Sequence, residues 1–105
     1  MKRLITYLLS FCLLLSSGVY AAADVEAGRV KGQTCLGCHG IVNYNNAYPS
    51  YHVPKLAGQH EAYLVSAMKA YKTGLRSHAT MYGNVADLSE QDMQDIAAYF
   101  SQDSQ

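Results

Sequence analysis

Cysteine is scarce in this chain. There are three in 105 residues, and only Cys35 and Cys38 lie beyond the apolar N-terminal stretch that holds Cys12. A disulfide framework is therefore excluded, because no other partner is left for a pair only two residues apart. Charge of one sign is also missing. The formal net charge is +0, and Lys2 and Arg3 fall in the N-terminal segment, which leaves residues 24–105 slightly acidic. Such a balance offers no basic field for nucleic acid and no strong single-signed patch to steer a partner. No segment alternates convincingly with period two, and there is no internal repeat or long linker. A sheet protein and a repeat protein are both disfavoured. His52, His60 and His78 contain no pair at His-x3–5-His spacing. A zinc site needs about four protein ligands, and that set is not supplied.

The N-terminus has the layout of a secretory signal peptide. Lys2 and Arg3 precede an apolar run at 4–15, then a small-residue stretch ending Tyr20-Ala21-Ala22-Ala23. Cleavage is expected after Ala21, Ala22 or Ala23. The alternative, an uncut membrane anchor, is disfavoured by the short apolar core and the A-x-A-like exit. Cys12 lies inside that core behind the bulky Phe11, so it is no lipid-attachment site. The expected organisation is a signal peptide at 1–23 and one domain at 24–105, exported to the periplasm. A domain of that length buries a marginal core on its own and usually needs a staple.

Cys35-Leu36-Gly37-Cys38-His39 is the informative motif. Two thiols two residues apart, with a histidine directly after the second, form the attachment pattern of a c-type haem. Each thiol adds across one vinyl group of the porphyrin, and one tight helical turn spans the two vinyls. His39 then lies under the iron as an axial ligand. Gly37 and Gly40 remove side chains where backbone would crowd the ring. A thioredoxin-like dithiol would sit beside a βαβ pattern, and no apolar β runs flank this pair.

Three helices can be placed in the domain. The first starts near Asp24, a capping residue, and runs toward Gln33 with a thin apolar face. The second covers 60–72, with Tyr63, Leu64, Ala67, Met68 and Tyr71 at helical spacing and Gly74 as terminator. The third begins with a capping box at Ser89 and Asp92 and carries the stripe Met93, Ile96, Ala97, Phe100. Residues 41–51, rich in Asn and Tyr, have no helical period and read as an ordered loop. The sixth iron ligand is to be chosen among Met68, Met81, Met93 and the three other histidines. Met68 and Met93 sit in helical stripes, where methionine is usually core filler. Met81 lies in a Gly- and Asn-containing loop before the last helix, where a thioether can swing over the iron. His78 is its main rival.

Further residues follow in a family order: Gly28, the motif with Gly40, Pro54-Lys55-Leu56-Ala57-Gly58-Gln59, Tyr63-Leu64, Tyr71-x-x-Gly74-x-Arg76, Met81, and Leu88-Ser89-x-x-Asp92-x-x-x-Ile96-Ala97-Ala98-Tyr99. On these the chain resembles small bacterial monohaem cytochromes c of class I. It is also similar to single-haem halves of dihaem carriers and to haem subunits of flavocytochromes. The resemblance implies an all-α cytochrome c fold, with three main helices and loops wrapped around one covalently bound haem c. It implies attachment through Cys35 and Cys38, and iron held by His39 and Met81. It gives the Pro54 carbonyl a hydrogen bond from the free nitrogen of His39, and it makes Gly28 the small residue where the first and last helices cross. The implied function is a periplasmic electron carrier without catalytic residues. It would be a monomer docking transiently on redox partners, between a membrane quinol-oxidising complex and a terminal reductase or oxidase. The haem subunit of a periplasmic dehydrogenase is the alternative. A haem-based ligand sensor or weak peroxidase is a third reading, which needs an open sixth position.

Overall fold

Helix α1, Val25–Lys31, is started by Asp24, whose carboxylate accepts from the Ala27 N–H at 3.0 Å. The computed structural model describes residues 21–102. The expected signal peptide falls mostly on residues 1–20, outside the described residues. Helix α1 does not run on to Gln33. It closes at Gly32, whose N–H donates to the Gly28 carbonyl at 2.8 Å, and a separate helix α2, Gln33–His39, carries the motif. A Cβ on Gly32 would lie 3.1 Å from the Phe100 ring, so the junction is packed tightly against the last helix.

Helix α3, Glu61–Thr73, ends as expected at Gly74, in the left-handed region with φ 83°. Helix α5, Glu90–Phe100, starts with the full capping box: the Ser89 side chain accepts from the Asp92 N–H, and the Asp92 carboxylate accepts from the Ser89 N–H. Its stripe forms the core, with Met93, Ile96, Ala97 and Phe100 all at 3% exposure or less. Helix α1 is held against α5 by close backbone approach rather than by large side chains. A Cβ on Gly28 would stand 1.9 Å from the Asp95 carbonyl oxygen and 3.0 Å from the Tyr99 Cβ. Only glycine fits this crossing.

Two elements differ from the expectation of loops. Residues 45–52 form a small antiparallel hairpin, β1 Asn45–Ala47 and β2 Ser50–His52, in register Asn46↔Tyr51. Its turn contains a cis Tyr48–Pro49 bond. Both strands are three residues long and mostly exposed, so they lack the buried alternating face that marks a strand in sequence. Met81 does not lie in a loop. It belongs to a short helix α4, Ala79–Val85, anchored in the core through Val85. The fold is thus mainly helical, with five helices and one two-stranded sheet among the described residues. No helix among the described residues is long and apolar enough to cross a membrane.

Candidate functional site

A cavity of about 230 Å³ opens between α2, α3, α4, α5 and the segment after the hairpin. Its walls explain much of the helical patterning. Tyr63, Leu64, Ala67, Met68 and Tyr71 of α3 all line it, and within that stripe Leu64 and Met68 also pack into the buried core with Ile96 and Phe100. Ile96, Ala97 and Phe100 of α5 close the opposite wall.

Helix α2 brings Cys35, Cys38 and His39 to the cavity, and α4 brings Met81 to it. The four residues singled out from the sequence therefore converge on one apolar space. Both thiols are half-buried. Burial pushes the Cys35 thiol above its usual pKa, against a smaller opposing hydrogen bond with Thr34. His39 is oriented from behind: its Nδ1–H donates to the Pro54 carbonyl at 2.7 Å. A carbonyl can only accept, so the proton sits on Nδ1 and Nε2 keeps its lone pair. The backbone that delivers Pro54 is fixed in turn, since the buried Val53 donates its N–H to the Tyr44 carbonyl at 3.0 Å.

The other ligand candidates separate by position. Met93 is buried in the core and does not line the cavity, whereas Met68 is buried in the α3 wall. His60 is exposed and away from the cavity, and the exposed His52 sits at its rim. His78 does line the cavity, but its Nδ1 accepts the Met81 N–H at 3.3 Å and caps α4. No group of three or more His, Cys, Asp or Glu side chains suited to a metal ion exists among the described residues. The arrangement offers two thiols one turn apart, an imidazole nitrogen with a free lone pair, and a half-buried thioether around an apolar space. That donor set suits a flat apolar metallomacrocycle and not a zinc ion.

Sequence reasoning missed two polar clusters. The Tyr51 hydroxyl donates to the Thr80 Oγ1 at 3.2 Å, and the Tyr51 ring stands edge-on to His78 with centroids 4.5 Å apart. On the far side of α5, Lys31 bridges Asp92 and the buried Asp95, at 2.7 Å to each. Asp95 also accepts from the Asp24 N–H at 2.8 Å and the Gln91 amide at 2.9 Å. Burial raises the Asp95 pKa, but these three donors outweigh it and hold the carboxyl below its usual value.

Comparison with known proteins agrees with this geometry. The family model described as Cytochrome c matches residues 25–103. Cytochrome c4 of Pseudomonas aeruginosa is 43% identical over 100 residues, which are 95% of this chain and 47% of that protein. Cytochrome c-554(548) of Halomonas halodenitrificans is 43% identical over 83 residues, 76% of this chain and 96% of that protein. The solved structure of cytochrome c4 from Acidithiobacillus ferrooxidans is similar with a TM-score of 0.60 at 26% identity, covering 82% of this chain and 52% of that one. The chain thus spans about half the length of the cytochrome c4 relatives it matches.

Proposed function

The chain belongs to the cytochrome c family, and on that premise we propose that it is a periplasmic one-electron carrier with haem c attached at Cys35 and Cys38 and iron held between His39 and Met81. The observation that carries this reading is the convergence of these four side chains on one apolar cavity, with His39 locked through Pro54.

Haem c, the family's prosthetic group, supplies a reversible Fe(III)/Fe(II) couple when bound. The remaining work falls to the chain. Cys35 and Cys38 would hold the ring covalently through their two sulfurs, one helical turn apart on α2. His39 presents Nε2, and the Pro54 carbonyl behind it raises the basicity of that nitrogen. Met81 supplies a thioether, which favours the ferrous state over a second nitrogen donor. Leu64, Met68, Ile96 and Phe100 keep water from the cavity wall, which lowers the local dielectric and favours the less charged reduced state. With His39 and Met81 both engaged in holding the group, the chain would leave no place for a substrate to bind it, which supports outer-sphere transfer over catalysis. Ile41 and Val42, 50% and 88% exposed just past Gly40, offer an apolar surface suited to a transient redox encounter.

The test is the optical spectrum of the exported protein. We expect haem that resists acidified acetone, a low-spin ferric form and the weak far-red thioether-to-iron band. Met81→Ala is expected to abolish that band. A colourless protein, or a band that persists in the variant, rules the reading out.

A further inference from the structure

We propose that Tyr51 is a positioning residue for the sixth ligand: from the hairpin it pins the start of α4 and thereby holds Met81 over the cavity. This rests on Met81 being that ligand.

Helix α4 has seven residues, too few to be stable by itself. Its C-terminal end is anchored by the buried Val85, whereas Ala79 and Thr80 at its start are exposed. The place of its first turn is therefore set by side-chain contacts. Tyr51 makes contact on both sides of the chain leading into Met81. Its hydroxyl donates to Thr80, and its ring packs edge-on against His78. His78 is the cap whose Nδ1 accepts the Met81 N–H itself. Tyr71 of α3 meets the same imidazole at 6.3 Å, and the Arg76 guanidinium lies 4.7 Å over the Tyr71 ring. Two tyrosine rings thus stand edge-on to His78, and Tyr51 is the nearer one and comes from the hairpin.

That origin matters. Tyr51 lies three residues before Pro54, which fixes His39. The hairpin therefore ties the segment that orients one axial residue to the helix that carries the other. A thioether is a weak ligand to ferric iron, so small changes in how firmly it is held alter how often it leaves. The apparent affinity of a competing ligand scales with the fraction of protein whose sixth position is open.

Imidazole binding to the ferric holoprotein reads that fraction directly. Tyr51→Phe and Thr80→Val each remove one end of the hydroxyl contact and keep the packing. Each is expected to tighten imidazole binding about fivefold, the equivalent of one hydrogen bond. Tyr51→Ala removes the ring as well and is expected to tighten binding tenfold or more, with a weakened thioether band and haem attachment unchanged. Should Tyr51→Ala not fold, the two conservative variants decide. Imidazole affinities within twofold of wild type in both of them overturn the proposal, even where the unfolding midpoint drops, because a merely structural contact would lower the midpoint alone. Met81→Ala is run in parallel. If it keeps the band, the ligand assignment fails and this proposal with it. If it loses the band while the Tyr51 and Thr80 variants match wild type, only the positioning role fails.

Discussion

Helix α5 has two sides that are stabilised in different ways. Toward α1 it closes backbone to backbone at Gly28, and the seam is lined by Lys31, Asp92 and Asp95. Toward α3 and α4 it faces a cavity of about 230 Å³ whose walls are Ile96, Ala97, Phe100, Leu64 and Met68. The first side is complete with protein atoms alone. The second packs Ile96 and Phe100 with Leu64 and Met68 into the core around an apolar cavity, and the far edge of that cavity is held by a short helix and a hairpin. Local packing therefore builds the helix crossing, while the cavity side depends on what fills it.

The largest expected effect tests that dependence. Protein made without haem attachment, by replacing Cys35 and Cys38 together with serine, should lose cooperative thermal unfolding and the near-ultraviolet circular dichroism of packed tyrosines. An expelled macrocycle leaves apolar walls exposed in a domain already too small for a generous core. A sharp calorimetric transition in that material would show that the cavity side stands by itself and would break the comparison.

The next effect probes the opposite side. Gly28→Ala places a Cβ where the Asp95 carbonyl already sits. The two helices must separate, at a cost of about 3 kcal/mol by the usual range for overpacking. Denaturant unfolding of the holoprotein should report this as a lower midpoint. The thioether band should persist at temperatures where the variant is folded, since α4 lies on the other side of α5.

How much of this was legible in the sequence follows the same division. Features with a short-range cause were readable. The capping box at Ser89 and Asp92, the Gly74 terminator and the α5 stripe each depend on residues three or four apart. The attachment motif is contiguous. The Gly28 crossing and the Pro54 carbonyl were accessible only through resemblance to a family, because their partners lie far along the chain. Three elements gave no usable signal. The hairpin buries no continuous face, so its strands show no alternation. Helix α4 contains Gly83 and Asn84, is capped by a histidine and buries only Val85, which made it look like a loop. The Gly32 break is set by close packing against Phe100. Side-chain pairs such as Tyr51 with Thr80 or Lys31 with Asp95 span 29 and 64 residues, beyond the reach of any periodicity argument.

The smallest effect concerns the ionic part of the α1–α5 seam and sharpens what holds that side. The Lys31 ammonium, together with hydrogen bonds from Ser89, lowers the Asp92 carboxyl to about 2. A carboxylate whose folded pKa lies below its unfolded value stabilises the fold above that unfolded value, near 3.9, and the stabilisation disappears as pH falls through the folded one. Asp95 is shifted in the same direction. Holoprotein stability should therefore fall between about pH 4 and pH 2. The Asp92 share should be about 1 kcal/mol once screening of a side chain 28% exposed is allowed for. Asp92→Asn should flatten that part of the acid limb and leave stability near pH 7 lower by a similar amount, measured by denaturant midpoints across the pH series. If the variant keeps the full acid slope, the Lys31–Asp92 arm is a bystander, and the acid limb belongs to Asp95, which Lys31, the Asp24 N–H and the Gln91 amide still hold.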